Sequence, residues 1–223
     1  MKEKFLDSNK YFLQGLLFEP QDFSNKTPLL IYLHGAGERG KNVEHLYRHA
    51  IPRLIKEGKE IEAFVLCPQC PAQFVWNNMV KELKQMIDLV IDEYGIANDR
   101  ISITGSSMGG FGTWEMGMTY SNFFSAIGPV AGGGLSWRAG KLTQTPIKAV
   151  HGVCDTAVGL IYSELMVDAL QNSGAKAELI RLENYGHNDG IDYAYRNTDL
   201  IEWLISQRRT DFSPVKEICE DLF

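Results

Sequence analysis

Short, unbroken apolar runs alternate along this chain with segments whose apolar positions recur every three or four residues. Leu29–Leu33 runs into His34-Gly35, and Ala63–Cys67 runs into Pro68. Ile101–Thr104 stops at Gly105, while Phe124–Val130 and Ile147–Val150 lead toward glycines. Ala177–Leu182 completes the set, and an earlier strand is expected within Tyr11–Phe18. Apolar runs this short, bounded by Gly and Pro, predict buried strands. Between them lie helical patterns. Met79, Leu83, Ile87, Val90, Ile91 and Tyr94 share one face, with Gly95 placed to cap it. Ile161, Leu165 and Ala169 form one row and Tyr162, Met166 and Leu170 the next, with Gly174 as the stop. Residues 191–205 read as one helix anchored by Ile201, Leu204 and Ile205, and Pro214 is placed to open a short terminal helix. Strands alternating with helices predict βαβ units, hence an α/β fold with a mostly parallel twisted sheet covered on both faces. In such sheets ligands bind beyond the carboxyl ends of the strands.

The length of 223 residues suits a single domain spanning residues 1–223. With 44% hydrophobic and 22% charged residues the balance is that of a soluble globular protein. A net charge of −6 argues against nucleic acid or an anionic membrane as partner, since both need a basic face. The first residues hold no apolar run of signal-peptide or anchor length, so a cytoplasmic location is expected. Four cysteines are too sparse for a disulfide scaffold. Cys67-Pro-Gln-Cys70 has the C-x-x-C spacing, but no second pair follows it, so two free thiols are expected rather than a metal or redox site.

Chemistry-bearing residues cluster just after the apolar runs. Gly105-Ser106-Ser107-Met108-Gly109 fits G-x-S-x-G between the strand ending at Thr104 and a helix predicted over 109–119. That context predicts a sharp strand-to-helix turn with the Ser107 hydroxyl exposed as a nucleophile at a helix N-terminus. A serine hydroxyl needs a base, and histidine suits the task. Of five histidines, His34 and His151 precede glycine at strand ends, where structural roles fit. His45 and His49 lack the H-E-x-x-H order of a metal helix and read as a solvated face. His187, in the polar loop Tyr185-Gly186-His187 after the last strand, is the expected base. The order Ser, acid, His restricts the acid to positions between them. Asp155, just past the strand 147–150, is the choice, to orient His187 and stabilise its charged form, with Glu183 as rival.

A tetrahedral oxyanion needs two preorganised donors. The backbone N–H of Met108 supplies one. The Gly-rich loop His34-Gly-Ala-Gly-Glu-Arg-Gly40 supplies the other, from Ala36 or its neighbour Gly37. A phosphate-binding reading of the same loop fails because Asn42 stands where Ser or Thr is required. Phe74, Trp76, Trp137, Glu38 and Arg39 are the residues expected around the substrate.

Taken together, the 34–40 loop, Cys67-Pro-Gln-Cys-Pro71 with Trp76, Gly105-Ser-Ser-Met-Gly-Gly-Phe-Gly-Thr-Trp114, His151-Gly-Val-Cys-Asp155 and Tyr185-Gly-His187 resemble the α/β-hydrolase superfamily. Within it they resemble the small esterases called phospholipase/carboxylesterase-like, predicted peptidases or depolymerase-like esterases. The matching pieces span roughly residues 30–190 in order. The resemblance implies an eight-strand sheet or a trimmed version of it, an acyl-enzyme mechanism, and no cofactor or metal. The short segment from Gly132 to Pro146 leaves little chain for a cap. Hydrolysis of small-molecule carboxylic esters, short-chain or aromatic or sugar-linked, is the expected activity. Peptide or thioester cleavage, or a non-catalytic binding module, are the alternatives.

Overall fold

The computed structural model describes residues 1–213. Its sheet has eight strands: β1 (Lys2–Leu6), β2 (Gly15–Glu19), β3 (Leu29–Leu33), β4 (Phe64–Pro68), β5 (Ile101–Ser106), β6 (Ala126–Val130), β7 (Ile147–Gly152) and β8 (Ala177–Leu182). They lie in the order β1-β2-β4-β3-β5-β6-β7-β8. β2 runs antiparallel to β1 and β4, and every pair from β4 to β8 is parallel. The six expected strands are present. The seventh, β2, lies in the expected 11–18 window and extends one residue past it.

Side-chain alternation sorts each strand between two cores. Leu29, Ile31 and Leu33 of β3 face a core shared with α3 (Val80–Tyr94), α4 (Met108–Thr119) and α5 (Ile161–Asn172). Leu30 and Tyr32 face the other, built with α2 (Ala50–Lys56), α6 (His187–Asn197) and α7 (Leu200–Ser206). Strands buried on both faces read as continuous apolar runs, which is why they were visible in the sequence. β1 carries the opposite signature. Lys2, Glu3 and Phe5 are exposed, as on an edge strand protected by charge, and this hid it from a hydrophobicity reading.

One helical expectation is corrected, and the buried face of another helix is identified. Residues 191–205 form two helices rather than one, and the first begins at His187. Thr198 breaks them with extended backbone, its hydroxyl donating to the Ala194 carbonyl and accepting from the Leu200 N–H. In α5 the buried stripe runs through Ser163, Met166, Val167 and Leu170, while Ile161, Tyr162 and Leu165 are exposed. The expected helix opening at Pro214 lies outside the described residues. Among the described residues no helix is long and apolar enough to cross a membrane.

The phase of α5 can be measured. Leu170→Ala should cost about 2–5 kcal/mol by urea unfolding, the range for a truncated buried leucine. Leu165→Ala should stay within about 0.5 kcal/mol, as at a solvated site. Equal losses would mean the helix is rotated from the orientation described.

Candidate active site

The chain turns from β5 into α4 within one residue, Ser107, whose backbone sits at φ 55°, ψ −119°. That region is costly for any residue with a side chain and persists only where the surroundings impose it. Here they do. A Cβ on Gly109 would stand 1.9 Å from the Leu33 carbonyl oxygen, and one on Gly105 would stand 2.4 Å from the Gly109 oxygen. The helix start is thus pressed against the end of β3. From the other side the Ser107 N–H donates to the Val130 carbonyl at 2.9 Å, tying it to the end of β6. Ser106 instead bonds the buried Tyr32 hydroxyl at 3.0 Å.

His187 is the first residue of α6, not a loop residue as expected. Its Nε2 lies 2.9 Å from Ser107 Oγ, and its Nδ1 lies 2.6 Å from Asp155 Oδ2. A carboxylate only accepts, so Nδ1 carries the hydrogen and Nε2 is free to accept from the serine hydroxyl. Asp155 is buried, and its Oδ1 takes the N–H groups of Ala157 and Val158 at 2.9 and 2.8 Å. Close packing brings the two loops together: a Cβ on Gly152 would fall 2.4 Å from the Tyr185 oxygen. The N–H of Cys154 also donates to Tyr185. Glu183 and Asp189 are exposed and take no part in this row.

The 34–40 loop crosses in front of Ser107. Ala36–Glu38 forms a 3-10 turn. Ala36 and Met108 each open a helical turn, where N–H groups have no partner inside the helix. The loop is held from behind. His34 receives the Cys70 N–H on Nε2 at 3.0 Å, donates from Nδ1 to the Gly35 oxygen at 2.6 Å, and offers its carbonyl to Trp76 Nε1 at 2.9 Å. Gln69 donates to the carbonyls of Glu38 and Asn42 at 2.7 and 2.8 Å. Arg39 Nε donates to the Ala36 oxygen at 3.0 Å, and Arg48 reaches the Gly37 oxygen at 2.9 Å.

These groups enclose a cavity of about 220 Å³ lined by Gly35, Ala36, Gly37, Glu38, Ser106 and Ser107 with His49, His187, Asn188 and Ile191. A larger hollow of about 530 Å³ lies between Pro28, Glu60 and Arg100, where the strands begin, and holds none of the Ser107 row.

A sequence profile of the phospholipase/carboxylesterase family matches residues 68–192, more than half of the chain. The chain belongs to this family. The matched span holds Ser107, Asp155 and His187 but not the 34–40 loop. Among solved structures a thermostable esterase is 32% identical over 87% of this chain and 59% of its own, with a TM-score of 0.73. The family member described here therefore spans about three-fifths of that esterase. A feruloyl esterase module from Clostridium thermocellum, complexed with sinapinate, is 14% identical and has a TM-score of 0.65, covering 87% of this chain and 84% of the module. The acylaminoacyl peptidase of Pyrococcus horikoshii is also 14% identical, with a TM-score of 0.68, covering 96% of this chain and 43% of the peptidase. At that identity the last two show the α/β-hydrolase fold alone. No curated protein sequence matches the chain significantly.

Several expected substrate contacts are relocated within this phospholipase/carboxylesterase domain. Trp76 is fully buried behind His34, edge-on to its ring at 5.0 Å, and does not line the cavity. Trp137 is 77% exposed and lies outside the cavity wall. Phe74 is exposed and does not line the cavity, and its carbonyl receives Arg39 Nη1. Glu38 and Gly37 do line the cavity. His45 and His49 are not on one regular helix: Val43–Arg48 is a 3-10 segment, and His49 follows it extended at the cavity rim. His151 is a buried neighbour of Asp155, with Nε2 bonded to the Val158 oxygen at 2.8 Å and Nδ1 2.7 Å from Ser163 Oγ. Burial holds its pKa down. Cys67 and Cys70 are buried free thiols whose pKa values burial raises. Sequence reasoning missed Gln69 and Ser163. A glutamine directly behind a buried strand is a signal for Gln69, while nothing local marks Ser163.

Burial lowers the His34 pKa from 6.5 to about 4. The unfolded chain therefore takes up a proton between those values that the folded chain refuses, and stability falls as pH drops through that window. The share is roughly 3 kcal/mol, fully present above the unfolded pKa. Thermal midpoints of wild type and His34→Gln at about pH 7 and about pH 4.5 should show a smaller acid-induced fall in the variant. An equal fall in both would remove His34 from the acid response.

Proposed function

We propose that this protein is a serine hydrolase that cleaves short-chain carboxylic esters through an acyl-enzyme. The observation that carries the reading is the hydrogen-bonded row Ser107 Oγ, His187 Nε2, His187 Nδ1 and Asp155 Oδ2, with 2.9 and 2.6 Å contacts, whose Ser107 and His187 line a cavity. As the Ser107 oxygen bonds the ester carbon, its proton passes to His187 Nε2 and the carbonyl π electrons move to oxygen. Asp155 accepts from Nδ1 throughout and stabilises the imidazolium. The N–H groups of Ala36 and Met108, with Gly37 as the alternative to Ala36, bind the oxyanion. Collapse expels the alkoxide, which takes the proton from Nε2 and leaves as the alcohol. Water then repeats the sequence on the acyl-Ser107 bond, releasing the acid and restoring the hydroxyl.

The size of the cavity supports small substrates. About 220 Å³ is small, and Ile191 is the one large aliphatic side chain among the described residues that line it. Burying a long acyl chain stabilises binding by about 0.8 kcal/mol per methylene only where an apolar wall exists. Gly132–Gly134 packs tightly, with a Cβ on Gly133 falling 2.7 Å from Tyr162 Cβ, and Ser136–Leu142 is a 3-10 segment rather than a cap domain. With Trp76 buried and Trp137 outside the cavity, the flat aromatic wall expected from the sequence is missing from this cavity's lining.

A fluorophosphonate probe should label Ser107, with labelling lost in Ser107→Ala; labelling that persists elsewhere contradicts the assignment. Asp155→Asn should fold and lose on the order of 10⁴ in turnover of p-nitrophenyl acetate, while Glu183→Gln should lose little. The reverse ranking would move the acid to Glu183. Across p-nitrophenyl esters from acetate to palmitate, kcat/KM should peak at the short end. A peak at the long end would point to lipid substrates.

A further inference from the structure

Glu38 is the carboxyl in the lining of the Ser107 cavity. Its side chain is 6% exposed, and among the described residues no side-chain donor bonds it: the groups acting on the carboxyl at hydrogen-bond range are the backbone N–H groups of Gly35 and of Glu38 itself. The nearest basic atoms are His34 Nδ1 at 3.8 Å and His49 Nε2 at 3.9 Å. The His34 nitrogen already donates to the Gly35 oxygen. A carboxyl has about four lone-pair sites, so one held only by backbone amides and lining a cavity keeps acceptor capacity for a ligand there. The carboxyl also sits beside the reacting atoms. A Cβ built on Gly35 would be 3.3 Å from Glu38 Oε2 and 3.7 Å from Ser107 Cβ, so the two groups flank the same small gap.

The side of the substrate that reaches this gap follows from the proton path. The leaving oxygen must take its proton from His187 Nε2, so the alcohol lies on the His187 side of Ser107. The cavity that holds Glu38 is the one walled by His187, Asn188 and Ile191. A group there meets a carboxyl across a space too small for a long chain. Burial raises the Glu38 pKa, while His49 and the Gly35 amide act to lower it. Whether ionised or protonated, a carboxyl with free lone pairs accepts hydrogen bonds from hydroxyls.

We propose that Glu38 is a specificity-determining residue that accepts a hydrogen bond from a hydroxyl on the alcohol part of the substrate, so that the preferred substrates are esters of polyols or sugars. The inference rests on the reading of Ser107 as nucleophile. It goes beyond that reading by naming the leaving group and the residue that selects it.

The test uses two esters with the same three-carbon alcohol skeleton, glycerol monoacetate and propyl acetate, followed by acetate release. Wild type should favour glycerol monoacetate in kcat/KM by about tenfold or more, the size of a hydrogen bond to a charged group. Glu38→Gln, which keeps the volume and an acceptor oxygen, should shrink the ratio. Glu38→Leu should bring it to about one. Circular dichroism and the rate of fluorophosphonate labelling at Ser107 report whether each variant is folded and competent. A ratio unchanged in a folded, labelled Glu38→Gln and Glu38→Leu overturns the role of Glu38 and leaves the esterase reading standing. Failure of wild type to label or to hydrolyse either ester overturns the esterase reading, and this inference with it.

Discussion

The contact on which the rest depends is the one between the first turn of α4 and the end of β3. With 1.9 Å between a Gly109 Cβ and the Leu33 oxygen, any residue but glycine would drive the helix off the sheet. Gly105 and Gly110 repeat the condition against the Gly109 and Val130 oxygens, at 2.4 and 2.5 Å. Because helix and sheet meet this closely, the chain has a single residue in which to reverse direction. That residue is Ser107, forced to positive φ with its hydroxyl turned outward. The strain is local. What balances it is the burial of α4, whose Trp114, Met116 and Met118 belong to the larger core.

The same principle, backbone contact made available by glycine, assembles the partner loops. Gly152 lets the end of β7 meet the turn before α6, and the Val153 and Cys154 N–H groups donate to the Leu182 and Tyr185 carbonyls. Asp155 and His187, 32 residues apart, are thereby fixed at 2.6 Å. Buried Asp155 is fully provided with donors, which is the condition for keeping a carboxylate away from water. The 34–40 loop is different in kind. It is positioned by side chains, Gln69, His34, Trp76 and Arg39, donating to the carbonyls of Glu38, Gly35, His34 and Ala36. Ala36 and Glu38 line the cavity while the carbonyl groups of the same residues are taken up by these side chains.

Legibility in the sequence followed these two kinds of support. Where backbone contact decided the geometry, glycines and strand ends announced it. The turn at Ser107, the loop of Asp155 and the position of His187 past the last strand were all readable, as was the parallel sheet. Where side chains from distant segments decided it, local patterns misled. Trp76 has an aromatic face suited to a pocket, but its indole N–H is bound to the His34 carbonyl and its ring is sealed under Gly112. The rows on α5 looked equivalent because Ile161, Tyr162 and Leu165 are as apolar as the residues beneath them, although they face solvent. The break at Thr198 could not be read from apolar spacing, since Leu200, Ile201 and Leu204 continue the periodicity beyond it.

The central claim is that Ser107 is acylated during turnover. Rapid mixing with p-nitrophenyl acetate, followed by acid quench and peptide mass analysis, tests it most directly. The account predicts a burst of p-nitrophenol approaching one equivalent per active site wherever deacylation is the slower step, and an acetyl group on the Ser107 peptide that disappears as substrate runs out. Steady hydrolysis with no acyl group on Ser107, or with the group on another residue, would contradict it.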